Sequence, residues 1–564
     1  MNLTQTLKSA SLLAVTALMP LCSQAFTVGE GENGVAFHGS VQFDGLFPQT
    51  DDAIMNEEDK KYMQAHDILF NSYADLNMMS KYVDAGARLE FMKWPLPGYE
   101  SDFKGWGVPH IYARGHYKGF ELTAGDFYEQ FGNGFILRTY QERSLGIDNS
   151  IRGGRLKVSA IPGVRLTVLG GLQRRYWDWK KKSQVYGADG EVYIEDLSKS
   201  LADKGIGWTV GASYVLKHEN DQDIMIPGTD YRLNLPHSVG AWDVRSHFRK
   251  GNWGILGEFA YKGQDPSYDN DYSYGKGNAA MLSATYSRSG LSALVQAKRS
   301  QNMAFRSQRM MSGSSAFLNN MPAFSYQHTY ALPALYPYAT QAAPGEWAFQ
   351  GSFAYSFKRG TALGGKYGTK IKLNGSYIRG LDHSAGFKGT VNGLSGTDGY
   401  HPSFFGMGEH YYHDFNVTID KKLSKSLTMT GMYMNQMSNR TVIEGKGGKV
   451  RSNIFVLDTK WKIDSRYTLR NELQYLHTHQ DQKDWVYGLL ELSVAPYLMV
   501  TVSDMWNCGD TGTHYYMAGV AGNYKSNRLQ VSYGRTRAGF NCSGGVCRYV
   551  QATRGFQIAY QYNF

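Results

Sequence analysis

The chain has 564 residues, 19% of them charged, and a mean hydropathy of −0.42, which excludes a protein built of transmembrane helices. Aromatic residues make up 14%, led by 40 Tyr, and Gly counts 64, a composition that suits a curved barrel wall better than an ordinary globular enzyme. The formal net charge is +10, but Lys and Arg stand singly along strand-like segments with no basic helix, so no nucleic-acid partner is expected.

Residues 1–25 read as a cleaved secretory signal. Lys8 is their only charge, and the apolar run Ser11 to Leu21 is too short to span a bilayer. Ser23-Gln24-Ala25 offers a small-x-small cleavage site, and Leu21 before Cys22 is too bulky for a lipoprotein site. Residues 26–564 are then one exported domain.

Period-two alternation follows almost without interruption. Val35, Phe37, Val41 and Phe43 share one face, and the polar segment Gln49 to Gln64 reads as a loop. Asp67–Met79 and Val83–Met92 form a hairpin, with Asp84, Arg88 and Glu90 alternating against Ala85, Ala87, Leu89 and Phe91. Further hairpins turn at Lys118-Gly119, Ile161-Pro162-Gly163, Gly360, Leu423-Ser424-Lys425, Asp464-Ser465, Ala495-Pro496 and Lys525-Ser526-Asn527. Val486–Trp506 is the most apolar window after the signal, but Glu491, Pro496 and Asp504 make it a hairpin rather than a helix.

The chain stops on a strand with Phe556, Ile558, Tyr560, Tyr562 and Phe564 on one side and Gln557, Ala559, Gln561 and Asn563 on the other. Lipid outside and water inside satisfies both faces. Tyr560, Tyr562 and Phe564 are also similar to the closing-strand signal that barrel-assembly machinery reads in bacterial outer-membrane proteins. The expected fold is therefore all-β: one transmembrane antiparallel barrel with short periplasmic turns and long extracellular loops. Clear strands number about 23, and both chain ends in the periplasm require an even count. A weak strand at Val185–Leu197, followed by a turn at Ser198–Lys204, brings the total to about 24, within a range of about 22–26.

The segment Gly125 to Arg155 is the candidate constriction or plug, folded into the barrel between two wall strands. Its Glu129, Arg138, Glu142, Arg143, Asp148, Arg152 and Arg155 could pair with wall charges, and charge rings at close quarters select solutes. Gly132-Asn133-Gly134 lacks the Lys-Ser/Thr and the helix of a phosphate loop, so no nucleotide or other cofactor is expected. Arg174, Arg175, Trp177, Trp179 and Lys180 to Lys182 read as an aromatic girdle with a solvated loop, or as a lipopolysaccharide phosphate site. The long segments Arg299 to Pro344 and 380–410 read as loops that cover the mouth or bind a partner.

Three cysteines follow the signal. Cys542 and Cys547 flank a short loop and are the candidate disulfide, with Cys508 competing for either. No His stands at ligand spacing near them, so no metal site is expected. No Gly-x-Ser-x-Gly or His-Glu-x-x-His occurs, which argues against catalysis.

Three segments carry a resemblance: Gly125 to Arg155, Arg359-Gly-Thr-Ala-Leu-Gly-Gly-Lys-Tyr-Gly-Thr369, and Cys542-Ser-Gly-Gly-Val-Cys-Arg-Tyr-Val550. Together they look like an uncharacterised family of large outer-membrane β-barrels of Bacteroidota, over nearly the whole mature chain. The resemblance implies location and fold and brings no assigned chemistry. The expected function is a porin-like channel for hydrophilic solutes with a partly occluded lumen. The alternative is an accessory subunit of a secretion, uptake or assembly complex, and the lesser alternative an outer-membrane hydrolase.

Overall fold

The computed structural model describes residues 25–29, 34–179, 183–226, 228–313, 315–322, 324–338, 345–382, 394–543 and 546–564. Residues 1–24 of the expected signal, Lys180 to Lys182 and the middle of the 380–410 segment lie outside the described residues.

The chain closes into a 24-strand antiparallel barrel, with a short N-terminal strand, Phe26–Val28, adding to the turn-side end of the first wall strand. The walls run from Val35–Pro48 to Thr553–Asn563, and these two strands pair with each other, Val41 opposite Tyr562 and Phe47 opposite Phe556. Every main-chain polar group in the wall can thus be satisfied, because the 24-strand wall closes on itself. Gly39 and Phe564 exchange both backbone hydrogen bonds, at 2.9 and 3.0 Å. A Cβ on Gly39 would collide with the backbone carbonyl of Asp75 on the neighbouring strand and crowd the Phe564 ring at 2.7 Å, so the closure needs a glycine there.

The weak strand near Val185 is Ser183–Tyr193, paired along its whole length with the wall strand that follows. It ends earlier than the alternation suggests. Ile194–Leu197 and Lys199–Asp203 are helical turns rather than strand and simple turn, and Glu195 holds the Trp208 amide at 2.9 Å. Trp485–Val494 and Leu498–Asn507 are paired strands, and no described helix is long and apolar enough to cross a membrane. In the first long loop, Glu57–Gln64 is a helix capped by Asn56, whose side chain takes the Asp59 amide at 2.8 Å.

Alternation sorts the side chains as the period demands. Leu122, Val168, Leu282, Val295, Leu490 and Val502 point out and stay exposed, Val295 at 67%. Such a belt around a whole circumference is unstable against water and matched by lipid. Tyr117, Trp253, Trp461, Tyr497 and Tyr524 ring the turn side, while Trp106, Trp242, Tyr475 and Trp506 ring the loop side. Inward, the wall strands present Asp44, Arg88, Glu90, Lys217, Arg245, Glu258, Lys298, Asp414 and Gln474.

Candidate functional site: a loop-filled lumen

The segment from Tyr128 to Ser150 enters the barrel as a compact hairpin. Phe131 donates its amide to Leu137 at 3.0 Å and Thr139 to the Glu129 carbonyl at 2.9 Å. Its tip, Phe131, Phe135, Ile136 and Leu137, is buried to 1% exposure or less. Gly132 sits at φ +50°, where an added Cβ would meet the Glu258 carboxylate at 2.8 Å. The backbone amide of Asn133 donates to Glu258 at 3.0 Å, so this glycine turn grips a wall carboxylate.

A second segment, from Asn302 to Tyr338, joins it. Expected as a cover for the mouth or a partner surface, it lies instead in the lumen, packed on the first. Arg138 donates its amide to Leu318 at 2.7 Å, and Asn319 donates to the carbonyls of Phe135 at 2.8 Å and Met303 at 2.7 Å. Three wall lysines cap its carbonyls: Lys217 on Arg306 at 2.9 Å, Lys298 on Pro322 at 2.8 Å, and Lys262 on Ala304. Further along, Gln474 accepts the Leu332 amide at 2.8 Å, and His328 bonds the wall carboxylate of Asp414. Phe305, Leu318, Met321 and Phe324 share one apolar cluster with the tip of the first segment. The signal in the sequence was this density of large apolar residues in a stretch too long for a simple loop.

Where the first segment returns to the wall, four charges are buried together. Arg88 and Glu90 come from the strand Val83–Met92, Asp148 from the segment, and Arg174 from just past Val164–Gln173. Arg174 reaches Glu90 at 2.9 Å and Asp148 at 2.6 Å, while Arg88 reaches Glu90 at 2.8 Å and also bonds Asp148. Tyr128 donates to Asp148 at 3.0 Å. Burial alone would raise the Asp148 carboxyl; the Arg174 and Arg88 guanidiniums outweigh it and hold the group below the ordinary carboxylate range. Burial, helped by Asp148, pushes the Tyr128 hydroxyl well above its usual value.

Arg174 therefore departs from the girdle or lipopolysaccharide reading. Its strand ends at Gln173, the chain turns through an Arg175–Asp178 bridge, and its side chain is swept into the lumen cluster. Trp177 donates its indole N–H to Phe103 at 3.0 Å. Trp179 covers Arg152, whose guanidinium lies 3.7 Å from the ring centroid and pairs with Asp126 at 2.8 Å. Arg152 and Asp126 share the outward parity of Leu156 and Leu122, so Arg152 belongs to the rim and not to the constriction.

The other sequence candidates separate into three places. Glu129 pairs with Arg155 at 3.1 Å and Lys157 at 2.7 Å, and Arg155 also reaches Glu121 at 2.7 Å. Arg143 bridges Asp75 at 2.7 Å and Gln42 at 3.0 Å, lying over Tyr73. Arg138 stacks on Tyr140, and Glu142 caps the short turn that follows it by accepting from Ser144 at 2.7 Å. Asp148 alone joins the buried four-charge cluster.

Cys542 and Cys547 form a disulfide, and Cys508 is an exposed thiol. The bridged strands, Gly539–Ser543 and Val546–Val550, form a hairpin that docks on the first segment through Arg548 and the Leu145 carbonyl. Burial lowers the Arg537 and Arg548 guanidiniums.

The inward segments leave space. A cavity of about 880 Å³ opens below the first segment, lined by Glu129, Gly132, Lys157, Arg165, Glu191 and Arg245. Another, of about 460 Å³, runs between the disulfide hairpin and the closing strands, lined by Asp44, Gln530, Ser532, Arg537, Asn541 and Gln557. Among the described residues no group of three or more His, Cys, Asp or Glu could hold a metal ion.

No curated protein matches the sequence. Among solved structures, the siderophore receptor PirA from Pseudomonas aeruginosa is similar at 8% identity and TM-score 0.40, over 94% of this chain and 80% of that one. The translocation pore of the P pilus usher PapC is similar at 7% identity and TM-score 0.39, over 93% and 99%. OccAB3 from Acinetobacter baumannii is similar at 10% identity and TM-score 0.33, over 94% and 99%. Residues 7–564 match the family described as Family of unknown function (DUF6029), and the chain belongs to that family.

Proposed function

We propose that the chain is an outer-membrane barrel whose lumen is a narrow, loop-constricted passage for hydrophilic solutes. The short turns face the periplasm and the long loops the outside, and the closing strand with Tyr560, Tyr562 and Phe564 is the assembly signal. The observation that carries the reading is the polar wall left uncovered beside the inward segments. Asp44, Gln530 and Gln557 of the wall, with Asn541 of the disulfide hairpin and the apolar Leu46, Leu96 and Phe540, line space under that hairpin, next to Arg143 on Asp75. Water fills such a lining, and ions follow it.

The reading is non-enzymatic. His328 bonds Asp414, while the neighbouring Ser376 hydroxyl accepts the Tyr326 amide at 3.1 Å, so these groups hold the second segment to the wall. A second reading, a plugged accessory subunit, is favoured by the extent to which the loop half is filled.

Single-channel conductance of the purified protein in a planar bilayer separates them. Steady conductance in the intact protein supports the passage. Silence that turns into conductance on deleting residues 130–147 supports the plugged subunit, and silence in both sinks the channel.

A further inference from the structure

The turn-side mouth holds a second kind of site. A cavity of about 980 Å³ lies where the turn 358–368 meets the strands Gly277–Arg288, Met407–Lys422 and Leu427–Asn439. Arg288, Lys358, Arg359, Lys370, Lys421 and Lys422 line it, and Asp420 is the single acid among its lining residues. Asp420 is already committed, to Lys372 at 2.7 Å and to the Thr430 hydroxyl at 2.8 Å. The six cations make no ion pair among the described residues. Tyr367 forms part of the floor, with Lys366 at 5.7 Å and Lys422 at 5.9 Å from its ring.

Register explains the convergence. Lys370 stands opposite Asp420 on one side and Ser356 on the other, all with inward parity. Lys422 shares that parity two residues nearer the turn and stands opposite Thr428. Strands lie about 4.8 Å apart and residues of one face about 7 Å along a strand, within reach of two lysine side chains toward one ligand. Gathering like charges without counter-charges opposes folding, and a bound anion removes the repulsion.

We propose that this mouth binds a phosphate-class polyanion, with Lys370 and Lys422 as the inward ligands, Lys358, Arg359 and Arg288 at the rim, and the Ser356 hydroxyl as a further donor. Compact ammonium groups and an arginine fork suit phosphate oxygens. The phosphate belongs either to a soluble solute or to a phospholipid headgroup. A role in transport rests on the passage reading, whereas binding does not.

The test is calorimetric titration of pyrophosphate into the full-length barrel in non-ionic detergent, which requires no conductance. Saturable binding is expected, weakened tenfold or more in Lys370→Gln/Lys422→Gln and retained in Lys370→Arg/Lys422→Arg. Lys525→Gln, on another turn, should leave the affinity unchanged. Absence of saturable binding overturns the proposal, as does equal weakening by Lys525→Gln or an unaffected double Gln variant. Repeating the titration in phosphatidylcholine nanodiscs with and without phosphatidylglycerol identifies the source. Weaker pyrophosphate binding with the anionic lipid assigns the site to the headgroup, equal binding to a soluble solute, and both uphold the phosphate site.

Discussion

The two halves of the lumen treat the same inward face in opposite ways. In the loop half, Arg88, Glu90, Asp148 and Arg174 are each at most 5% exposed in their side chains and paired with one another. In the turn half, Lys370 and Lys422 are exposed and share one acid that is already occupied. Alternation along the strands delivers charge to both. What separates them is whether a loop comes down to exclude water. Once water is excluded, a lone charge is prohibitive and every one must find a partner. Where water stays, unpaired cations survive, and they remain available to a ligand.

The largest effect should come from breaking the buried cluster. Asp148→Ala leaves two buried guanidiniums sharing Glu90, and should cost about 3–5 kcal/mol, read from guanidinium unfolding followed by tryptophan fluorescence. An unchanged midpoint would mean that the cluster is wet and that the halves do not differ.

Next comes the apolar tip. Leu137→Ala, at a position of zero exposure, should cost about 2–5 kcal/mol and speed hydrogen exchange through residues 130–138. Exchange unchanged from wild type would indicate that the tip is not packed on the second segment.

The disulfide closes a small ring, so its entropic share is about 2 kcal/mol. Cys542→Ser/Cys547→Ser should loosen the hairpin over Leu145 and raise current noise, leaving the barrel midpoint nearly unchanged. A global loss of folding would contradict a local role.

Acid gives a sign test. Asp148 has a folded pKa below its unfolded value, so its contribution is present above the unfolded pKa and lost as pH falls through the depressed one. Docking of the first segment should stay level from neutral pH down to about 5 and decline only below about 4, the ordinary Asp range. Release near pH 6 would assign the switch to another group.

The smallest effect belongs to loop surface pairs. Arg232→Ala, which removes half-exposed contacts to Asp221 and Asp223, should change stability by about 0–1 kcal/mol. A larger loss would show that the outer loops are as tightly coupled as the lumen.

Much of this architecture was legible in the chain. Alternation around Ala85 to Phe91 and through Phe556 to Tyr562 assigns inside and outside with no knowledge of neighbours, because period two is a property of the strand itself. Strand parity pointed to a strand near Val185 despite its mixed character. The same rule could not reach Arg174, one residue past its strand, nor the destination of Asn302 to Tyr338. Alternation alone would also have marked Arg152 as outward, but its place in a charged segment concealed that.

The sequence by itself determined the barrel, its strand number to within the expected range, its lipid-facing belt and its closing strand, since each follows from local periodicity and turn chemistry. Only the tertiary structure decided what fills the lumen. Loops have no period, and their course depends on distant wall groups such as Glu258, Lys217, Lys298 and Gln474 that meet their backbone only once the barrel has closed.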